Sequence, residues 1–304
     1  MSNSEAPSSG SAVIAPPAKV ALVGLGNMGR PMGARLIGAG FNVVGFDVAG
    51  GMREIFARET GGKIAPSLTT TVEGAQVVIT MLPNGAIVRE VLNAMRPHLR
   101  QGAIIVEMSS SDPIGTREIG EALVAAGFGF VDAPVSGGVK RAIDGSLAIM
   151  AGGEGSTIDR VEPLLKAMGR AVFRTGPIGS GHAVKALNNY VSGAGLVAAL
   201  EAMNVGKTFG VDPGVLVDVL NASTGKNNST EVKLKQYVIS ERYDSGFFLG
   251  LMAKDIRTAQ HLAERLGVPV PLGEKCASLW DAAAEELGDK ADHTAINRYL
   301  TAPA

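Results

Sequence analysis

From Lys19 onward, short apolar runs alternate with longer stretches of helical spacing. Lys19–Val23, Asn42–Phe46, Gln76–Thr80, Ala103–Glu107, Phe128–Asp132, Leu147–Ala151 and Ala171–Arg174 are runs of this kind. Several are rich in Val and Ile, and Gly or Pro bounds most of them. Strands so short and so apolar fit a sheet buried on both faces. Between many of them lie segments of about 10–15 residues with helical periodicity, such as Met28–Ala39 and Asp112–Ala126. The alternation predicts an α/β fold, a doubly wound parallel sheet with helices on both sides.

After about Gly176 the pattern changes. Gly181 to Phe209 reads as one helix of about 30 residues, or ~45 Å at 1.5 Å per residue. Further helical stretches follow at Pro213–Asn221, Glu231–Ile239, Leu249–Leu266, Leu272–Glu286 and His293–Leu300, with no clear period-2 strand among them. Three parts are therefore expected: a disordered leader over 1–17, an α/β domain over 18–178, and an all-helical domain over 179–304 that opens with a long interdomain helix. The leader is expected because Pro7, Pro16, Pro17 and clustered Ser cannot bury enough apolar surface to order themselves. Two folded domains agree with 304 residues at about 150 per domain.

Composition narrows the functional classes. Lys and Arg total 28 against 29 Asp and Glu, a net charge of −1, which gives no polyanion-binding or membrane-adsorbing surface. Neither a nucleic-acid nor a membrane partner is expected. The 40 glycines are about double the roughly 21 that average usage would give, which suits backbone passing close to a ligand or to other backbone. A single cysteine, Cys276, excludes an internal disulfide framework and a multi-thiolate zinc site. The four histidines are scattered with no i, i+4 pair, so no metal is expected. The first 18 residues hold no Lys or Arg and include Glu5, unlike a secretory or mitochondrial signal. The most apolar long stretch, near Val191–Leu200, is interrupted by Ser192, Gly193 and Gly195. A soluble cytoplasmic protein is the default.

Three motifs carry chemistry. Gly24-Leu25-Gly26-Asn27-Met28-Gly29 follows a strand and opens a helix. Gly24 permits the tight turn, Gly26 lets backbone approach a pyrophosphate, and Gly29 lets helix and strand pack closely. Asp47 closes the next strand, where a carboxylate accepts hydrogen bonds from an adenosine ribose. Together these read as a nicotinamide or flavin dinucleotide site, the alternative being a plain Gly-rich turn. On the long helix, Lys185 shares a face with Asn188 and Asn189. An ammonium beside amides can donate a proton to a carbonyl or take one from an alcohol; a solvated lysine is the competing reading. Asp132-Ala-Pro-Val-Ser136-Gly137-Gly138 leaves a buried strand into a glycine-opened turn, where backbone N–H groups and a hydroxyl can cup a carboxylate. A structural turn is equally consistent with those residues.

Taken together the motifs resemble the β-hydroxyacid dehydrogenase family, which includes 3-hydroxyisobutyrate dehydrogenase and tartronate semialdehyde reductase. GLGNMGRPMGARL at Gly24–Leu36, DAPVSGG at Asp132–Gly138, GHAVKALNN at Gly181–Asn189 and LMAKD at Leu251–Asp255 with Phe247 carry the likeness, which spans Lys19 to Leu300. The resemblance implies a Rossmann domain, a helical domain and an active site in the cleft between them. It implies Lys185 as the acid/base, Asn189 as the residue orienting substrate, and Ser136, Gly137 and Gly138 around its carboxylate with Asn188 nearby. It also implies Met81, Leu82 and Pro83 over the adenosine side of the cofactor, Ser110 near the nicotinamide, Phe247 and Lys254 as late cofactor contacts, and Asp255 as a partner of the lysine. Departures are Glu107 and Ser110 where the family has Asp and Thr, and Val139-Lys140-Arg141 where many relatives carry small residues.

The expected activity is hydride transfer between NAD and a small 3-hydroxy acid, 3-hydroxyisobutyrate-like or a polyhydroxy acid such as a threonate. Asp47, followed by Val48 and Ala49 rather than arginine, favours NAD over NADP, with Arg53 as the one cation that could answer a phosphate. Alternatives are a reductase of glyoxylate, succinic or tartronate semialdehyde, an imine reductase-like enzyme (against which Lys185 speaks), and a cofactor-binding regulatory module without chemistry. Lys140 and Arg141 follow the cup closely enough for one, Lys140 above all, to reach an oxygen-rich or anionic substrate tail, the competing reading being that both face solvent or one pairs with Asp144. Small residues Ser192, Gly193, Ala194 and Gly195 would let another helix approach, from within the chain or from a second copy, and a homodimer or homotetramer is expected.

Overall fold

The computed structural model describes residues 12–302, and the chain divides after Lys185 into two compact units. In the first, nine strands are found among the described residues: β1 (Lys19–Val23), β2 (Asn42–Phe46), β3 (Lys63–Ile64), β4 (Val77–Thr80), β5 (Ile104–Glu107), β6 (Gly129–Asp132), β7 (Val135–Ser136), β8 (Leu147–Gly153) and β9 (Gly169–Gly176). They form one sheet in the order β3-β2-β1-β4-β5-β6-β8-β7, with β9 against β8. From β1 the chain winds outward through β2 and β3, then returns to lay β4, β5 and β6 on the other side. The strand order reverses between β1 and β4, where doubly wound sheets bind ligands beyond their carboxyl ends.

Register makes that edge level. Val23 pairs with Phe46 and Thr80, Thr80 with Glu107, and Glu107 with Asp132. The residues that follow these ends, Gly24, Asp47 and Met81 among them, emerge along one line. Alternation along β1 supplies both faces: Val20 and Leu22 enter one core with Ile79, Ile104 and Val106, while Ala21 and Val23 enter another with Val78 and Ile105.

The expected parallel sheet is parallel-dominated. β8 runs antiparallel to β6 and β7, and β9 then pairs parallel with β8. A parallel return needs a crossover of a dozen or more residues. The link from Ser136 to Leu147 carries only the short helix Gly138–Asp144, so the chain folds back on itself. The two-residue strands β3 and β7 were not expected, being too short to show a period.

Residues 1–11 of the expected leader lie outside the described residues. Its last part is packed: Ile14 is buried, its amide donates to the Arg160 carbonyl, and it joins the core beneath β1. One apolar side chain with a backbone bond is enough to tie down a terminus.

The second unit is helical. The helix Ser180–Phe209 begins in the first unit and runs on into this one. It is followed by Pro213–Ala222, Asn228–Val232, a π-helical turn Leu234–Ile239, Leu249–Leu266, Pro271–Leu287 and Ile296–Leu300. Leu196, Leu200, Leu234, Leu249, Ile256 and the fully buried Trp280 form its core. The single helix expected over Glu231–Ile239 is broken at Lys233, where the hydrogen-bond pattern changes from α to π. Part of the small-residue stripe packs within the chain. A Cβ on Gly193 would stand 2.6 Å from Ile256 and one on Gly195 3.3 Å from Asn227, so these two glycines serve packing of the unit itself. No helix among the described residues is long and apolar enough to cross a membrane.

Candidate active site

The glycine turn is built for close approach. Gly24 has φ +99°, and a Cβ there would sit 2.2 Å from the Met81 carbonyl oxygen. At Gly29 a Cβ would lie 1.9 Å from the Gly24 carbonyl oxygen, so the first turn of the helix Gly29–Gly38 is pressed onto the loop. At Gly26 a Cβ would meet nothing within 4 Å. Two glycines are thus required by the protein's own packing, and the middle one borders open space at a helix N-terminus, where a pyrophosphate finds backbone amides. Asp47 braces the loop: Oδ2 accepts from Leu25 N and Oδ1 from Ala49 N, each at 2.9 Å. Each oxygen retains a lone pair for a ribose hydroxyl. Arg53 donates to the Asp47 carbonyl and lies 5.6 Å from the centre of the Phe46 ring. The residues present fit a dinucleotide.

The opposite wall follows β4. The Leu82 amide donates to Ser109 Oγ at 2.8 Å, and the Ser109 amide donates to Glu107 Oε1 at 2.8 Å. Ser109 is buried and holds the Met81–Pro83 segment, a role the sequence did not single out; its neighbour Ser110 is half-buried.

Behind this loop lies a buried ionic cluster. His182 Nε2 is 2.8 Å from Glu107 Oε2 and 3.2 Å from the Ser109 carbonyl oxygen, and Nδ1 is 3.6 Å from Asp132 Oδ2. Asp132 also accepts from Gly179 N at 2.7 Å and His182 N at 3.0 Å. Burial alone would neutralise His182, but the two carboxylates more than offset it and its pKa is raised. Burial likewise pushes Glu107 up, and His182 with Ser109 pulls it net downward. At Asp132 burial prevails and the pKa is raised. The cluster fixes the start of the helix that carries Lys185, one turn further on. Lys185 itself is 9% exposed.

The carboxylate-cup candidates sit at the end of β7. Gly137 and Gly138 have φ of +131° and +67°, which an L side chain rarely adopts. Ser136 is half-buried, whereas Lys140 is exposed on the helix Gly138–Asp144, with Arg141 beside it, and both lower the Asp144 pKa after the larger effect of the Ser146 hydrogen bond.

In the helical unit a relay connects the other expected residues. Asn188 Nδ2 donates to Asn189 Oδ1 at 3.1 Å, Asn189 Nδ2 donates to Asp255 Oδ2 at 2.6 Å, and Lys254 Nζ is 3.4 Å from Asp255 Oδ1. Asn189 and Asp255 are buried. Phe247 meets His293 edge-on at 5.6 Å and packs on the helical core.

Residues 19–176 match the family of the NAD binding domain of 6-phosphogluconate dehydrogenase, and residues 179–300 that of the NAD-binding domain of NADP-dependent 3-hydroxyisobutyrate dehydrogenase. The NAD-dependent L-serine dehydrogenase of Pseudomonas aeruginosa is 33% identical, across 93% of this chain and 97% of its own. The chain belongs to the β-hydroxyacid dehydrogenase family. Another relative, the 2-(hydroxymethyl)glutarate dehydrogenase of Eubacterium barkeri, is 30% identical across 86% of this chain and 88% of its own. Among solved structures, the Mycobacterium tuberculosis 3-hydroxyisobutyrate dehydrogenase with L-serine has a TM-score of 0.89 at 33% identity, covering 94% of this chain and 99% of that one. As a β-hydroxyacid dehydrogenase the chain is an oxidoreductase of hydroxy acids with NAD(P)-binding domains.

Proposed function

We propose that this enzyme oxidises a small 3-hydroxy acid with NAD, Lys185 acting as acid/base. The observation that carries the reading is a lysine kept 9% exposed one helical turn before Asn189, in a chain of this family. Lysine side chains are mostly exposed, so burial of this one marks the position.

When bound, the nicotinamide supplies the hydride acceptor. The Lys185 amine takes the hydroxyl proton in the oxidative direction, and its ammonium returns it to the carbonyl oxygen in the reverse. Ser136 Oγ and the amides of Gly137 and Gly138 bind the substrate carboxylate. Asn189, its amide set by Asp255, orients the hydroxyl-bearing carbon, with Asn188 alongside. The loop Gly24–Gly29 binds the pyrophosphate and Asp47 the ribose, with Met81–Pro83, Ser110, Phe247 and Lys254 completing the cofactor contacts. Asp47 would repel a 2′-phosphate, so NAD is preferred over NADP.

A reductase of small semialdehydes uses the same groups in reverse. An imine reductase is disfavoured by Lys185 itself. A homodimer or homotetramer is part of the proposal, and light scattering at micromolar concentration reads it directly. The activity is tested by following NADH absorbance at 340 nm with a panel of 3-hydroxy acids, L-serine included. Turnover of at least one supports the reading, and no turnover across the panel with intact NAD binding defeats it.

A further inference from the structure

Lys233 stands where the helix Asn228–Val232 gives way to the π-helical turn Leu234–Ile239. Such local changes of helix type recur at functional positions. Its side chain turns inward, and Nζ donates to Ser192 Oγ at 3.2 Å. Among the described residues Lys233 has no ion-pair partner. Asp292 is the carboxylate that acts on it, from beyond ion-pair distance, and burial outweighs that attraction, drawing the ammonium down to about 8. The neighbouring His293 is held down to about 4 by burial and by Lys233, so it is neutral near pH 7 and does not compete for an anion. A half-buried ammonium with no carboxylate at ion-pair distance gains from an anion that completes it.

In front of the lysine's partner lies a cleft in which a few polar groups sit among apolar surface. The cleft, of about 140 Å³, is lined by Asn188, Val191, Ser192, Gly195, Asn227, Asn228 and Ser229, whose polar side chains are amides and hydroxyls with no carboxylate, and Lys233 borders it through its bond to Ser192. Ser192 is four residues beyond Asn188 and three beyond Asn189 on the same helix. The rise between Asn189 and Ser192 is about 4.5 Å at 1.5 Å per residue, which a short carbon tail spans. Asn227 is fixed in place by accepting from Ser229 N and Thr230 N and by donating to the Gly195 carbonyl, so the cleft wall is preorganised.

Resting on the hydroxy acid dehydrogenase reading, we propose that Lys233 and Ser192 form a subsite for a second carboxylate, and that the preferred substrates are hydroxy dicarboxylic acids. This moves the tail-binding cation from Lys140, which is exposed, to a half-buried lysine bonded to Ser192, on the same helix as Asn188 and Asn189. A sheltered ammonium discriminates better because water competes less for the anion.

The test uses unreactive probes on the full-length protein saturated with NAD: glutarate, with two carboxylates, and butyrate, with one, titrated by calorimetry. Wild type is expected to bind glutarate at least about 10-fold more tightly than butyrate, the scale of one charge-assisted hydrogen bond. Lys233→Met should remove that preference and leave butyrate and NAD affinities within about 2-fold, whereas Lys233→Arg should keep most of it. If Lys233→Met does not fold, Ser192→Ala, which frees the ammonium from its tether, should still weaken glutarate more than butyrate. Equal binding of the two acids by wild type, or a preference that survives Lys233→Met, overturns the subsite. If the preference and its dependence on Lys233 hold while no hydroxy acid reduces NAD, the subsite stands and the dehydrogenase reading falls.

Discussion

The imidazole of His182 meets the carboxylate of Glu107 at 2.8 Å with neither side chain more than 1% exposed, tying the first turn of the long helix to the end of β5. Removing one member of a buried pair leaves an uncompensated charge and typically costs about 3–5 kcal/mol. His182→Ala should destabilise the protein by that order at pH 6. The pKa of His182 is raised in the fold, so the pair's contribution is fully present below the unfolded value of about 6.5 and is lost as pH rises through the folded value. Glu107 is lowered, so its contribution is present above its unfolded value and is lost as pH falls through the folded one. Urea unfolding of wild type and His182→Ala should show a gap that narrows as pH rises above about 6.5; a gap independent of pH would show that His182 stabilises as a neutral ring.

The glycine turn separates packing from binding. Gly24→Ala places a methyl into the Met81 carbonyl at a φ of +99°, and should destabilise by several kcal/mol with loss of NAD affinity. Gly26→Ala meets nothing of the protein's own, so stability should change by less than about 0.5 kcal/mol. NAD affinity should nevertheless fall at least about 10-fold, because the methyl stands where the pyrophosphate would approach. Thermal melting paired with calorimetry measures both. A Gly26→Ala protein that binds NAD normally would place the cofactor elsewhere.

These two glycines also show what was legible in the sequence. The strand, the turn and its acidic partner lie within the 29 residues from Lys19 to Asp47, and each position has a local reason to be what it is, so spacing alone located them. The strands buried on both faces were legible for the same reason. Glu107, Asp132 and His182 were quoted within or beside motifs without their mutual contact, because register and a long-range return of the chain bring them together, and nothing local encodes that. A charged residue closing a fully buried strand, as Glu107 and Asp132 do, was the available signal. Lys233 sits outside every motif, and only burial reveals it. The antiparallel β8 was hidden because a short apolar run carries no direction.

Asn189 keeps Asp255 supplied with a donor at 2.6 Å. Asn189→Ala leaves that buried carboxylate short of a partner and should cost about 1–3 kcal/mol in stability. Turnover should fall at least about 10-fold through loss of the substrate-orienting amide, with NAD affinity unchanged. Steady-state kinetics and calorimetry separate the effects, and a variant with wild-type kcat would confine Asn189 to a structural role.

Asp47→Ala should narrow the preference for NAD over NADP by relieving repulsion of the 2′-phosphate, while some loop stability is lost with the bonds to Leu25 N and Ala49 N. The ratio of kcat/KM for the two cofactors is the measure. A ratio near one in the wild type would mean that Arg53, over Phe46, already accommodates the phosphate.

The central claim is that Lys185 moves the proton and does not hold the cofactor. Single-turnover reduction of NAD by the best hydroxy acid of the panel, compared between wild type and Lys185→Ala, tests it most directly when NAD dissociation constants are measured on the same preparations. A positioned acid/base contributes about 10²–10⁴-fold in rate, so the variant should lose that much while binding NAD within about 2-fold of wild type. Turnover near the wild-type rate, or NAD binding lost along with it, would contradict the account.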